Sequence, residues 1–519
     1  MANISKVYLL NTPLEDDKKN TLYFANASAQ QTYMQNNIIK SYTNVSYQRD
    51  TSIFRCPAHI DTIRNCNYIM YQNTAYSNKW FYSFIKKMYY IDDGRTDIEF
   101  EIDPIQTFMF DITIKPSFVE REHTNDDTIG HNTVPEPLEI GEYICMGTHQ
   151  MFVYNIVNCY YVLALTKLLP QITPVEGTVY DACIPDGCFY IAVDSLSSVK
   201  KITKIYSAGS EGAIVAIFVA PKECFTHAWD NAPQGYDFQY STKPSMTFSK
   251  TETVSKPSET LLSYTPRNRK LLTYPFRYIQ ASNNAGQVTH YKVEDFASGS
   301  TMQFKFRYAL TAGGSGRIFP RGYKGIDDNF DEGINLGKLP VGSWQNDLFT
   351  NWMTQNAINI PTSILGSVAD TAIGIAGATS SVGVAGAVVG GLKGVTSTVD
   401  QIYQHSLQPP QAEGNVCNGD VNFAYSMTGI ILKTMCIKPE YARIADDYFD
   451  MFGYATHRVK VPNTAHRQNW WFTKTIDINI VGNVPNDYMN QIKEAYNNGI
   501  TFWRNPSNFL NYGVSNGIV

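Results

Sequence analysis

The sequence predicts a mainly β, multidomain protein with an inserted Gly/Ala-rich hydrophobic loop and a short C-terminal helix. Three observations predict it. Charged residues make up only 17% of the 519 residues, whereas Tyr (34) and Phe (27) are abundant. Such chains favour strands and large interfaces, whose cores lack charge and are rich in aromatics. Short alternating or apolar runs recur along most of the chain, separated by turn residues. Between them lies TAIGIAGATSSVGVAGAVVGGL, residues 371–392, with no charge at all. At about 1.5 Å per residue a helix of that length would reach roughly 33 Å, close to the hydrocarbon thickness of a bilayer.

Residues 6–119 read as successive strands, including TLYFA from Thr21, DIEFEID from Asp97 and FMFDITI from Phe108. In the second run Ile98, Phe100 and Ile102 share one face. Asp92, Asp93 and Gly94 form a turn in which Gly94 is free to take positive φ. Residues 120–140, polar and containing Pro135 and Pro137, read as a connection. A second β region spans 142–221 and holds the apolar runs MFVYNIVNCYYVLAL and GAIVAIFVA. The Ser/Thr/Lys-rich stretch 241–257 reads as an exposed loop, and strands return over 261–310.

Residues 344–357 suggest a short helix with Trp344, Leu348, Trp352 and Met353 on one face, leading into the apolar segment. A Gln/Pro-rich exit follows, then strand-like sequence over 421–437. The terminal helix, 485–498, has Pro485 at its start and Gly499 as its stop. The expected division is 1–125, 126–260 and 261–345 as β domains, 346–406 as the inserted loop, and 407–519 as a C-terminal segment returning to the first fold.

Residues 371–392 hold six Gly, five Ala, four Ser/Thr and seven large apolar side chains: Ile373, Ile375, Val382, Val384, Val388, Val389 and Leu392. Val and Ile contribute only about −0.3 to −0.6 kcal/mol each to insertion, and each Gly costs about 1 kcal/mol against Ala in a helix. A lone spanning helix is therefore weak. Gly386 to Gly390 and Gly390 to Gly394 repeat at the spacing that lets helices approach closely in lipid, so several copies can do what one cannot. Three readings stay open here: a buried helical hairpin, a permanent anchor, and a conditional membrane-active loop. The last would comprise Ile364, Leu365, Ile373, Gly374, Ile375, Gly377, Val382, Gly383, Val384, Gly386, Val388, Val389, Gly390, Leu392 and Gly394. Asp370 would cost about 3 kcal/mol at mid-bilayer and belongs at a turn, an interface or a pore wall.

Other chemistries find little support. The net charge of −5 supplies no basic field for holding DNA. The N-terminus has no cationic start followed by an apolar run, so no secretory signal is expected. Nine scattered cysteines without CxxC read as free thiols of a reducing compartment. DDNFDEG, residues 327–333, fails as a calcium loop: its sixth position is Glu332 and its twelfth Lys338. His123 and His149 belong to no metal-ligand spacing. Asp446–Asp447 and Asp92–Asp93 read as turn or cap residues. No catalytic, cofactor or metal site is expected.

Five blocks carry a resemblance: NYIMYQNTAYSNKWFYSFI (67–85), FEIDPIQTFMFDI (100–112), SFVEREHT (117–124), ADDYFDMFGYATHRVKVPN (445–463) and NGITFWRNP (498–506). Together with LPVGSWQNDLFTNWMTQN (339–356), which stands where that family's hydrophobic loop begins, they resemble the tail knob, or distal tail tube, proteins of small podoviruses infecting Gram-positive bacteria. The resemblance implies a homohexamer of barrel-like domains stacked around a channel, at the distal end of the short tail of a virion assembled in host cytoplasm. Its implied partners are other copies, other tail proteins, viral DNA passing without specific binding, and the host cytoplasmic membrane. The loop, about 353–404, would plug the channel and then form a membrane pore. A receptor-binding adhesin and a cell-wall hydrolase are the rival readings.

Overall fold

The fold was analysed in a computed structural model, which describes residues 5–43, 45, 47–48, 52–153, 159–167, 189–206, 214–224, 230–231, 239–240, 247–283, 286–309, 315–338, 341–343 and 429–519. The described residues are mostly strand, in two compact units. The first comprises Met1–Gly141, Tyr264–Pro275 and Pro439–Val519; the second comprises Glu142–Ser263 and Phe276–Lys438.

The first unit is built on a seven-stranded antiparallel sheet. Its order is Ile38–Thr43, Ser5–Leu10, Tyr68–Asn73, Phe81–Asp92, Arg95–Ile102, Ile53–Cys56 and Tyr47–Gln48. Alternation sends Ile69 and Tyr71 into one core with Ile98, Phe100 and Ile102, as the sequence predicts. Tyr68 and Met70 face the other way, into a core shared with a second sheet. That sheet runs Asn20–Leu22, Ile500–Trp503, Trp470–Ile476, Ser117–Glu122 and Tyr454–Lys460. Two adjacent pairs knit it. Trp470 lies opposite Trp503, with ring centroids 5.1 Å apart, and both enter the core between the sheets. Trp471 lies opposite Phe502, stacked at 5.7 Å on the reverse face, under the helix Asn486–Asn498. That helix has Pro485 before it and Gly499 at φ 95° after it, as expected.

The second unit holds three larger sheets. One runs Tyr143–Met151, Ile430–Ile437, Arg277–Ser282, Val288–Tyr291; another runs Phe189–Val193, Cys159–Leu165, Ile214–Pro221, Val341–Ser343. The third runs Thr247–Ser255, Thr301–Ala309, Ser315–Tyr323, Ile326–Asp328, with Ile334–Lys338 also paired to Ser315–Tyr323. The run CYYVLAL is apolar throughout because both faces are covered. Val162 and Ala164 enter the main core, whereas Leu163 and Leu165 pack with Val199 and Ile202 of the helix Leu196–Tyr206.

The structure corrects several local expectations. Within 241–257, Thr247–Ser255 is a strand paired from Thr247↔Ala309 to Ser255↔Thr301; its Thr/Ser/Lys content suits a half-exposed surface strand. Phe108 ends a helix, Pro104–Phe108, and only Ile112–Ile114 of FMFDITI is strand. Asp103 caps that helix, its Oδ1 accepting from the amides of Ile105 (3.0 Å) and Gln106 (3.1 Å), with Pro104 at the first helical position. Gly94 does not use positive φ; its amide donates to Asp92 Oδ1 at 2.9 Å.

Candidate functional site

The residues singled out as membrane-active, Ile364 through Gly394, and the helix expected at 344–357 lie outside the described residues. The structure does describe the base from which that segment leaves. On the entry side, Val341–Ser343 pairs antiparallel with Ile214–Pro221, through Ala216↔Ser343 and Phe218↔Val341. On the exit side, Ile430–Ile437 is an inner strand, paired to both Tyr143–Met151 and Arg277–Ser282.

The strand that receives the entry and the exit strand itself share one core. Ala216 and Phe218, on the strand that receives Val341–Ser343, cluster with Ile430 and Leu432 of the exit strand and with Phe152, Ile334 and Leu336. Burying each such side chain stabilises by about 1.5–3 kcal/mol, so the core holds the base whatever the segment does.

The exit is fixed by close backbone contact. The Gly429 amide donates to the Phe152 carbonyl at 3.0 Å. A Cβ at Gly429 would meet the Met151 and Phe152 oxygens at 2.7 Å, so only glycine fits. Phe152 holds φ 54°, a left-handed conformation costly for a bulky residue. It is retained because its amide donates to Glu252 Oε2 at 2.9 Å and its buried ring packs against Phe306, with centroids 5.6 Å apart. Glu252 in turn lies 3.5 Å from Lys250, which pairs with Glu223 at 3.0 Å.

A second concentration of polar side chains lies in the first unit, where the chain returns. The stretch 123–136, expected to be a plain connection, contributes several of them. Glu136 is buried between Arg121 and Lys270, themselves nearly inaccessible, and also accepts the Ala455 amide at 2.9 Å. Burial pushes the Lys270 ammonium below its ordinary range, although Glu136 opposes the shift. Asp446 is not a turn residue but sits inside the helix Pro439–Phe452, fully buried. It accepts from the Arg267 amide (2.7 Å), the Asn268 amide (2.9 Å) and the Tyr264 hydroxyl (2.6 Å). Arg267 Nε donates to Asp450 at 2.7 Å, and Lys460 donates to Glu122 at 2.6 Å.

His123 lies in the same region as a structural acceptor. Its Nδ1 takes the Phe472 amide at 2.8 Å and its Nε2 lies 3.0 Å from the Asp450 carbonyl. Burial, with Arg467 nearby, pushes its imidazole down to about 3. His149 is exposed on its strand. In the acidic turn, Asp328 pairs with Lys305 (2.8 Å) and Arg321 (2.7 Å), and Glu332 pairs with Lys324. Among the described residues no group of three or more His, Cys, Asp or Glu is placed to hold a metal, and no helix is long and apolar enough to cross a membrane. The carboxylates of this cluster are thus engaged with backbone amides and buried cations. Sequence reasoning missed the cluster because its members come from three separated segments.

Comparisons with known proteins agree with this architecture. Residues 236–517 match the family model for the C-terminal domain of the tail knob protein gp9 of Bacillus phage phi29, and residues 3–113 match the caudoviral major tail protein N-terminus. The tail knob protein gp9 of Bacillus phage B103 is 26% identical, over 95% of each chain. That of Bacillus phage phi29 is 25% identical, over 98% of this chain and 97% of the relative. The structure of the bacteriophage C1 tail knob protein, gp12, has the same fold, with a TM-score of 0.63 over 99% of this chain and 100% of that one, at 14% identity.

Proposed function

From this chain's membership of the phi29 gp9 tail knob family, which makes it a structural protein of a phage tail, we propose that it forms a sixfold tube whose inserted segment plugs the channel before infection and lines a membrane pore during it. The role is mechanical rather than enzymatic. Tube walls guide DNA without gripping it, consistent with a net charge of −5. The virion would carry the protein at the distal end of the tail, after synthesis in host cytoplasm, in contact with further copies and other tail proteins.

The observation that supports the plug reading is that the segment 344–428 leaves from a strand paired to Ile214–Pro221 and returns at Ile430–Ile437, and that these last two strands share one core. A segment so inserted can change surroundings while the strands at its base stay paired. Its composition supports the rest. Weak hydrophobicity keeps one copy from inserting alone, and the Gly386, Gly390 and Gly394 spacing suits packing among several copies.

Dye-loaded liposomes test the proposal. The whole protein, or a peptide spanning 353–404, is expected to release dye, and deletion of 364–392 is expected to abolish release while leaving the folded assembly unchanged. Undiminished leakage from the deletion variant would remove the pore role. Val384→Asp and Gly386→Leu are expected to assemble normally and lose leakage; failure to assemble would make the segment part of the core.

A further inference from the structure

We infer that copies of this chain join through the hairpin Phe81–Asp92/Arg95–Ile102 of one subunit and the outer face of the five-stranded sheet of the next. The inference rests on the ring reading and names the surfaces that would build it.

The hairpin has one open edge: its second strand stays covered by Ile53–Cys56 out to Cys56↔Thr96, whereas its first strand loses its outer neighbour early. Its two strands pair out to Asp92↔Arg95, but the neighbouring strand Tyr68–Asn73 covers only Phe81–Phe84. Among the described residues, the strand therefore runs from Lys86 to Asp92 with a ladder on one side only. Tyr89, Tyr90 and Ile91 follow one another at about half exposure, 45%, 52% and 46%, so both faces of the tip are apolar and open. The tyrosine hydroxyls are held, Tyr89 to Glu99 at 2.9 Å and Tyr90 to Asp93 at 2.7 Å, which orients the rings before contact. At the end stand Asp92 and Asp93, neither in an ion pair among the described residues.

The sheet presents the complement. Val459, Phe118 and Ile476 are direct cross-strand partners, so they form one row on one face. Their exposures are 72%, 37% and 54%, on a face where solvent contact alone would favour polar side chains. The row is polarised. At the edge strand Tyr454–Lys460 it ends beside His457, whose ring stacks on Phe118 at 6.1 Å; the exposed Arg458, opposite Val119, leaves the same edge from the other face and has no carboxylate partner among the described residues. At the other end stands Asp477, just past Ile476.

Tip and row are exposed together in one compact unit, so neither covers the other within a chain. A second copy is the occupant with a matching apolar surface and opposite charge, placing the acidic tip at the Arg458 end. Because each copy carries both halves on different surfaces, the contact is head-to-tail, the kind that closes into a ring.

The test uses full-length protein, read by native mass spectrometry and sedimentation, with circular dichroism as the fold control. Val459→Asp, Asp93→Lys and Arg458→Glu are each expected to leave the spectrum unchanged and to weaken assembly by about tenfold or more. Asp93→Lys combined with Arg458→Glu is expected to restore it. A ring unaffected by the single variants, or weakened by them but not restored in the double variant, overturns these surfaces and leaves the ring reading standing. A wild-type chain monomeric at every concentration overturns both.

Discussion

Replacing Glu136 with Gln perturbs the buried charge cluster with almost no change in shape. In the wild type Glu136 Oε2 accepts from Arg121, and Oε1 accepts from Lys270 and from the Ala455 amide at 2.9 Å. The side chains of Glu136, Lys270 and Arg121 are only 1%, 3% and 8% exposed, so water cannot replace the lost anion. Breaking a buried pair by removing one partner costs about 3–5 kcal/mol, because the remaining charge stays desolvated. Two cations share the one carboxylate here, which places the expected loss toward the top of that range.

Lys270 gives the prediction a sign with pH. Burial already lowers its pKa in the native state, and without Glu136 it falls further. The unfolded chain then binds more protons than the native one, so the variant gains stability as pH rises. Its deficit against wild type should narrow between pH 7 and 9, by up to about 1.4 kcal/mol per pH unit. Urea unfolding followed by the fluorescence of Trp470 and Trp503, buried in the same unit, measures this. A deficit under about 1 kcal/mol at pH 7, or one that widens as pH rises, would show that Glu136 does not hold these two buried cations.

Three further outcomes follow from single positions. Gly453, at φ 64°, ends the helix Pro439–Phe452 with its missing Cβ aimed at the Glu122 carbonyl, so Gly453→Ala should cost more than about 2 kcal/mol in urea unfolding. Gly429→Ala should lower the melting temperature of the second unit, by overpacking worth about 1–3 kcal/mol, and speed proteolysis within 344–428; unchanged melting would deny that the exit is tightly fitted. His123 is held neutral in the native state but not in the unfolded one, so its contribution is full above about 6.5 and is lost toward about 3 as pH falls, at about 1.4 kcal/mol per pH unit. Asp103, Asp127 and Asp450, raised by burial, act in the opposite direction. The difference between wild type and His123→Asn, measured from pH 7 to 5, isolates the histidine and should shrink by about 2 kcal/mol.

The strands most legible in the sequence were those whose periodicity is set by burial. Ile98, Phe100 and Ile102 alternate because one face of their strand meets a core, and CYYVLAL does not alternate because both faces do. The terminal helix was legible from Pro485 and Gly499, since its ends are fixed by local backbone chemistry. Thr247–Ser255 was not: a half-exposed strand has no apolar stripe, and its polar side chains resemble those of a loop. The charge cluster was hidden for a different reason. Glu136, Lys270 and Asp446 come together only because 264–275 and 439–519 return to the first unit; a return of the C-terminal segment was expected, but no local pattern marks 264–275 or says which side chains the return brings together. The inserted segment was conspicuous by composition, whereas the fit of Gly429 against Phe152 at its base depends on tertiary contact alone.

The most direct measurement is cryo-electron microscopy of the purified full-length protein, alone and on liposomes. A hollow sixfold tube is expected, with residues 344–428 inside the lumen near one end in solution and in the bilayer on liposomes. A monomer, or a ring whose 344–428 segment stays packed against its own subunit in both conditions, would contradict it.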